Sequence, residues 1–578
     1  MNRVTFLILR RMRKPLLILL ACYAISILGL TLAPGVDEAG NSAQMSFFHA
    51  FYFVSYTATT IGFGEIPQSF TDAQRMWVLI TIYLTVISWF YAIGSIINLM
   101  QDQSFRRAIT LYAFRRKVKS LGEPFYLLCG FGDTGKNLTR SLTNQGHRVV
   151  IMDINEKDIS FIALNNFLMD VPGLAGDARY PYNMVNAGLK ESMCRGVLAL
   201  THDESVNLKV ALTTRLLRPD LETICRAETP AFIQNMVTCG VPHILNPFTA
   251  FADHLAMALE APAYLLLHYW LSGVTVDHLP EPLFPPRGQW LLCGFGRFGH
   301  ALQKSLEEHK IETSPLDLHP VVAEGEHLEA LRPAVDAEML IQAGIMEAKG
   351  LVAGTEDDTL NLTIVLIARQ LNPELFVVVR QNRRTNREMF TAIGPDLALD
   401  PSELLAREAY VVLTLPRLPE FLQLARKRSP EWINDVTSRL IGAVGEESAT
   451  VWTIRIGPEE SPALMEALEE GYVITLKQVS RRLQDRSRSL SCMALMLVRD
   501  DETRLLPEMD LVLEPGDELL LCGDQQAQLA IEWILADRQA LSYASRGVRT
   551  RDGWLWRRLA RHKKQQTEEA AALRTREQ

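Results

Sequence analysis

Two residue patterns in this chain are suited to chemistry. One is Thr59-Thr60-Ile61-Gly62-Phe63-Gly64, followed by Glu65. The other occurs twice, as Gly130-Phe131-Gly132-Asp133-Thr134-Gly135 and as Gly294-Phe295-Gly296-Arg297-Phe298-Gly299. Lining up carbonyl oxygens along one axis needs unusual backbone dihedrals, which glycine takes without steric cost. Rings of such carbonyls from several chains replace the water shell of a potassium ion, and a threonine hydroxyl adds a ring at the inner end. A Gly-x-Gly-x-x-Gly turn between strand and helix serves a dinucleotide instead. The first glycine makes the turn, the second admits the pyrophosphate, the third lets helix pack on strand, and the helix N-terminus faces the phosphates.

The fingerprint needs an acidic partner about 20 residues on, for the ribose hydroxyls. Asp153 ends the run Arg148–Asp153, 23 residues after Gly130, and Asp317 stands at the same offset from Gly294. The second match is softer, because Ile311–Asp317 contains Pro315 and makes a poor central strand. Gly130 to Lys136 also reads Gly-x4-Gly-Lys, but Asn137 stands where a P-loop needs Ser or Thr for magnesium, which argues against an NTPase. No His, Tyr-Lys or Cys arrangement near the motifs suggests a substrate-side catalyst, so an enzyme is not expected.

The elements that hold these motifs can be read from hydropathy. Residues 15–33 and 76–100 are apolar runs long enough to cross a bilayer. Basic residues flank them: Arg10, Arg11, Arg13 and Lys14 before the first, Arg106, Arg107, Arg115 and Arg116 after the second, with Arg75 alone between. Both termini are therefore expected on the cytoplasmic side. Residues 45–57 are apolar and aromatic but too short to span. A short helix that enters and returns implies a pore lined by the loop that follows. Gly94, the one glycine of the second span, marks a candidate bend near the inner mouth.

Past residue 122 the chain repeats itself. The phrase Phe125–Gly135 returns as Gln289–Gly299, Thr201…Asn207 as Thr355…Asn361, and Arg226 as Arg380. With 578 residues, three or four domains are expected, and a net charge of −8 gives no reason to expect nucleic-acid binding. Eight scattered cysteines, with no CxxC pair, read as small buried hydrophobes. Asp203, Glu204, Glu356, Asp357 and Asp358 are read as solvated loops with helix N-caps rather than a metal site, and no metal ligands are assigned.

Thr60-Ile61-Gly62-Phe63-Gly64 resembles the potassium-channel selectivity filter, with Ile for the usual Val and Phe for the usual Tyr. Tyr52-Phe53 stand where the family has paired tryptophans, and Leu84 where it has a hinge glycine. Residues 123–440 resemble tandem regulator-of-potassium-conductance (RCK, or TrkA-N) domains, and 445–535 resemble the TrkA-C module, read as β-rich from Tyr472–Val479 and Pro515–Cys522.

The resemblance, to two-transmembrane, ligand-gated prokaryotic potassium channels, implies a helical pore (1–104), a linker (105–122), a first Rossmann-like domain (123–287) with a helical dimerisation segment (240–287), a second (288–440), a small α+β module (441–536) and a basic flexible tail (537–578). It implies a homotetramer in a prokaryotic inner membrane, in contact with lipid, passing K+ and regulated by NAD(H) or an adenine nucleotide. Ca2+ gating and a less selective cation pore stay open as alternatives; a membrane-anchored NAD-dependent oxidoreductase is more remote. The implied filter is Thr59 to Gly64. The implied nucleotide set of the first domain is its glycine loop with Asp153, Ile154, Asp177, Ala178, Thr201 and Arg226; that of the second is its loop with Asp317, Leu318 and Arg380. An arginine at 226 and 380, where calcium-gated relatives carry carboxylates, suits a phosphate.

Overall fold

The computed structural model describes residues 3–36, 41–66, 69–162, 164, 167–272, 284–317, 335–445 and 449–548. Two compact units result, residues 1–123 with the short segments 172–174 and 182–191, and the remainder.

In the first unit α1 (Arg3–Leu32) starts well before the expected residue 15, because Pro15 is accepted within the helix and the basic segment stays helical. A hairpin of β1 (Pro34–Val36) and β2 (Ser42–Gln44) leads to α2 (Phe47–Ala58), then α3 (Asp72–Gln101) and α4 (Gln103–Lys119). Arg11–Leu32 and Asp72–Gln101, 22 and 30 residues long, are apolar and long enough to span a membrane. Thr71 opens α3 with a capping box to Gln74. Ile27 and Leu30 of α1 pack with Ala50, Phe53, Val54 and Tyr56 of α2 and with Phe70, fixing the short helix beside the filter loop. The segment after the second span is helical rather than a loose linker. Asp102 both ends α3 and accepts the Phe105 N–H to open α4.

The chain from residue 124 on, including the short segment 173–175, holds three sheets. Two are parallel, as repeated β-α units require. The first has the order β5-β4-β3-β6-β7-β8: β3 (Phe125–Cys129), β4 (Arg148–Asp153), β5 (Gly173–Ala175), β6 (Cys194–Ala199), β7 (Glu222–Arg226) and β8 (His243–Leu245). The second has the order β10-β9-β11-β12-β13: β9 (Trp290–Cys293), β10 (Thr313–Leu316), β11 (Gly350–Ala353), β12 (Phe376–Arg380) and β13 (Leu397–Leu399). Pro315 sits in β10, at the sheet edge, where a missing N–H costs no ladder bond.

Helices connect the strands. They are α5 (Asp133–Asn144), α6 (Glu156–Ile162), α7 (Pro181–Asn186), α8 (Glu204–Leu217), α9 (Pro230–Thr238), α10 (Pro247–Glu260) and α11 (Pro262–Leu271) in the first repeat. The second has α12 (Arg297–Glu308), α13 (Ala337–Gln342), α14 (Asp358–Leu371), α15 (Arg387–Ile393) and α16 (Pro401–Thr414), followed by α17 (Leu418–Arg426) and α18 (Pro430–Val444). Within the expected helical segment 240–287, the apolar stretch Phe248–Leu271 breaks at Ala261, whose backbone is forced out of the helical region by Pro262.

The repeats exchange helices. Phe248, Phe251 and Leu255 of α10 are buried against Trp290, Leu292, Phe298 and Val378 of the second domain. Leu405, Ala409 and Leu413 of α16 join Leu128, Phe131, Leu138 and Leu142 of the first in one core. Each fully buried large apolar side chain contributes about 2 kcal/mol, so this exchange binds the two domains firmly.

The third sheet is antiparallel, in the order β14-β17-β15-β16: β14 (Thr450–Arg455), β15 (Cys492–Arg499), β16 (Glu502–Leu505) and β17 (Glu518–Gly523). Pro515–Cys522 leads into β17 as read. Tyr472–Val479 does not form a strand: only Thr475 bridges, to Val512, and a short helix at Leu476–Val479 follows its capping box with Gln478. Within the segment expected as a tail from residue 537, Arg538–Arg546 is a helix capped by Asp537, with Leu541 and Ala544 buried. Residues 549–578 lie outside the described residues.

Candidate functional site

The filter loop starts where α2 runs out of helical partners. The Thr59 hydroxyl donates to the Ser55 carbonyl at 2.9 Å, and the N–H of Ile61 to the Tyr56 carbonyl at 2.9 Å. Beyond, the backbone alternates in hand. Thr60, Gly62 and Gly64 have φ of 60°, 67° and 90°, with Ile61 and Phe63 on the ordinary side. Such alternation turns successive carbonyls to one side, the arrangement a row of cation sites needs. A Cβ at Gly62 or Gly64 would meet nothing within 4 Å, so conformation and not space requires glycine there.

Aromatic side chains support the loop. The Phe63 ring lies parallel to Tyr52 with centroids 6.4 Å apart and edge-on to Tyr56 at 5.4 Å. The Tyr56 hydroxyl donates to the Gly64 carbonyl, so a hydroxyl from α2 reaches the expected filter loop although Phe63 itself has none. Outside the filter, Glu65 accepts the Phe70 N–H at 2.8 Å and two bonds from Arg75, at 2.9 and 3.2 Å. The Arg75 hydrogen bond holds the Glu65 carboxyl below its usual range. At the opposite end of the spans, Arg11 of α1 pairs with Asp102 at the α3–α4 junction at 2.5 Å. Gly94 lies within α3, and a Cβ there would meet nothing within 4 Å.

In the first glycine loop, Gly130 has φ of 104° and a Cβ there would come within 2.8 Å of the Thr201 nitrogen. A Cβ on Gly135 would come within 2.3 Å of the Gly130 carbonyl oxygen. The middle glycine is different: at Gly132 the nearest atom is His202 Nε2, 3.5 Å away. Both Asp153 oxygens accept backbone N–H groups, Phe131 at 2.6 Å and Asn155 at 2.8 Å, which fixes the carboxylate beside the loop. The Gly176 N–H donates to the Asp153 carbonyl at 2.8 Å, while Asp177 is paired with Arg179 and Ala178 is buried. Ile154 is exposed at the rim.

The second loop repeats the first sterically. Gly294 has φ of 96°, a Cβ on Gly299 would meet the Gly294 oxygen at 2.4 Å, and a Cβ on Gly296 would meet nothing within 4 Å. At the middle glycine a Cβ would meet nothing within 4 Å in the second cradle and only His202 Nε2, at van der Waals distance, in the first. No backbone therefore blocks the approach a bound pyrophosphate needs. Asp317 follows β10 and is exposed; Leu318 lies outside the described residues.

Thr201 and Arg226 are joined by a residue the sequence had marked only as part of the repeat. Asn207 accepts the Thr201 N–H at 3.0 Å and donates to the carbonyls of Thr201 (2.8 Å) and Arg226 (2.9 Å). Asn361 does the same for Thr355 and Arg380. The acidic residues beside them have structural work. Asp203 and Asp357 cap α8 and α14, Glu204 accepts the Thr229 N–H at 2.7 Å, and Asp358 accepts those of Asn382 and Arg383. Among the described residues no group of three or more His, Cys, Asp or Glu converges as a metal site.

The arginines cross between the repeats. Arg226 donates to Glu228 at 2.7 Å, and Arg297 of the second loop reaches the other oxygen of Glu228 at 3.4 Å. Arg380 lies over the rings of Phe298 (4.8 Å) and Phe248 (5.6 Å), with its Nε and Nη1 buried and without partners. Of the second loop's expected set, Arg297 and Arg380 are thus engaged with the first domain or with aromatic rings. His202 and Glu228, beside the first cradle, were not among the expected nucleotide residues, although they follow two that were, Thr201 and Arg226, by one and two positions. Burial and the nearby Arg226 push the His202 pKa down.

Residues 16–102 match the ion channel family, and residues 126–247 and 290–401 match the TrkA-N domain. The chain is therefore a membrane protein in which an ion-channel domain precedes two TrkA-N domains. It is similar to potassium channel protein 1 of Methanocaldococcus jannaschii, 26% identical over 206 residues, covering 35% of this chain and 59% of that protein. It is also similar to probable potassium channel protein 2 of the same organism, 24% identical over 250 residues, covering 43% of this chain and 67% of that one. A solved structure, the GsuK channel, aligns over 92% of this chain and 99% of its own, with 15% identity and a TM-score of 0.48.

Proposed function

We propose that this chain is one subunit of a homotetrameric, potassium-selective channel whose opening is set by a nucleotide, NAD(H) or an adenine nucleotide, bound in its first cytoplasmic domain. The observation that carries this reading is the alternating hand of Thr60, Gly62 and Gly64 behind a short helix, between two helices long enough to span a bilayer. One chain supplies one wall of such a filter, so four must surround each ion. Ile61 and Phe63, more than half exposed in the single chain, are then covered by neighbouring copies. The basic flanks favour cytoplasmic termini in a prokaryotic inner membrane.

The nucleotide is assigned to the first cradle because both oxygens of its Asp153 are held beside the glycine loop by backbone N–H groups. The engagement of Arg297 and Arg380 disfavours the second cradle. A nucleotide that binds one arrangement of the cytoplasmic domains better shifts the population toward it, and α4 transmits that shift to α3 at Asp102. Gly94 offers a second place for the inner helix to bend.

Potassium efflux from proteoliposomes tests the reading. Wild type releases K+ but retains Na+, and Gly62→Ala abolishes the flux while the purified oligomer keeps its size. Equal release of both cations by wild type contradicts it.

A further inference from the structure

We propose that the second TrkA-N domain carries, apart from its glycine loop, a binding site for a small phosphate-bearing anion, recognised by Arg384 and Arg387. The two arginines line a cavity of about 330 Å³ at the carboxyl ends of β12 and β13, together with Gln381, Phe390, Asp400 and Glu403. In open α/β sheets, ligands bind outside the carboxyl ends of the strands. This cavity is nonetheless removed from the fingerprint, because the glycine loop follows β9 and β11 stands between β9 and β12.

The repeat provides an internal control. Asn207 and Asn361, Arg226 and Arg380, and the helix caps Asn246 and Asp400 all correspond at a separation of 154 residues. At that separation the first domain carries Pro230 and Ile233 in place of Arg384 and Arg387, Ala227 in place of Gln381 and Thr249 in place of Glu403. The fold is served equally by both sets, so the charged set belongs to the second domain alone and is not needed to build it.

Two carboxylates share the cavity with the two arginines, and each has a partner of its own. Asp400 is engaged as the cap of α16, accepting the N–H groups of Ser402 and Glu403, and Glu403 faces Arg407 at 3.5 Å. Arg384 gives one N–H to Asn137 at 2.7 Å, leaving its other donors available, and Arg387 meets no acceptor among the described residues. Two guanidinium groups at one mouth match the oxygens of a phosphate in bidentate fashion. The turn at Gly394 (φ 63°) closes one side of the cavity, whose volume of about 330 Å³ suits a ligand of mononucleotide size.

Calorimetric titration of the full-length channel with AMP tests the site. The expected result is two AMP sites per chain, one of which survives Asp153→Ala. In that background, replacing both arginines (Arg384→Gln, Arg387→Gln) weakens the surviving site about tenfold or more. Arg387→Ile, which installs the residue of the first domain, weakens it in the same direction without touching the Asn137 contact. Displacement of AMP by inorganic phosphate supports the phosphate as the recognised group. Affinity unchanged in both arginine variants, or no AMP binding once Asp153 is replaced, overturns the proposal. Loss of binding in the arginine variants with no effect of Asp153→Ala would sustain this site while removing the assignment of the first cradle.

Discussion

Asn207 donates to the backbone carbonyl of Arg226 at 2.9 Å, and Asn361 donates to that of Arg380 at the same distance. Each asparagine is fully buried and ties the ends of two neighbouring strands to the helix between them. Alanine at 207 leaves an N–H and two carbonyls short of a partner, each worth about 1–3 kcal/mol, whereas at 361 the Thr355 carbonyl keeps the Asn382 amide at 3.0 Å. Asn207→Ala is therefore expected to lower the denaturation midpoint of the TrkA-N domains by several degrees, and Asn361→Ala likewise, as followed by circular dichroism. An unchanged midpoint would mean that solvent replaces these bonds.

The echo of Thr201…Asn207 in Thr355…Asn361 was legible in the sequence because both copies need the same hydrogen-bond pattern. The two spans, the short pore helix and the glycine loops were legible for a similar reason, since length and backbone conformation tie them to few residue types. Pro315 even announced an edge strand. The break at Ala261, the helix made of Leu476–Val479 and the exchange of α10 and α16 were not legible. They depend on what packs against each segment, and a run such as Tyr472–Val479 suits a strand as well as a buried turn. The Arg297–Glu228 contact joins residues far apart in the chain, which spacing cannot reveal.

Removing the Tyr56 hydroxyl tests the support of the filter. Tyr56→Phe keeps the ring contacts with Phe53 and Phe63 but frees the Gly64 carbonyl. The expected outcome is a folded channel with reduced preference for K+ over Na+, read as a reversal potential shifted away from that of potassium. A reversal potential equal to that of wild type would show that neighbouring subunits alone hold the loop.

The Arg11–Asp102 pair joins the N-terminal part of α1 and the C-terminal end of α3 at the start of α4. Arg11→Gln and Asp102→Asn are expected to shift open probability in the same direction, Asn at 102 retaining the helix cap. The exchanged double variant, Arg11→Asp with Asp102→Arg, restores it in part. Single-channel recording at fixed nucleotide concentration decides this; independent, additive effects would contradict a coupled pair.

Acid stability carries its own sign. Burial, with the Arg407 charge nearby, pushes His268 down to about 4, and His254 moves the same way. The folded state then binds fewer protons than the unfolded chain between pH 6.5 and 4, so stability is lost as pH falls through that window. Burial of Asp400, up to about 6, and of Glu408, up to about 7, acts in the opposite direction. His268→Gln removes one contribution: relative to its effect at pH 7.5, it should gain about 2 kcal/mol at pH 5. Parallel unfolding curves for variant and wild type at both pH values would contradict the assignment.

The most direct measurement is single-channel recording from the purified protein in planar bilayers. A potassium/sodium gradient is imposed, and NAD, NADH, ADP and ATP are added separately on the cytoplasmic side. A reversal potential near that of potassium is predicted, with open probability changed by at least one nucleotide and the change abolished by Asp153→Ala. Currents that do not distinguish K+ from Na+, or that respond to no nucleotide, would contradict it.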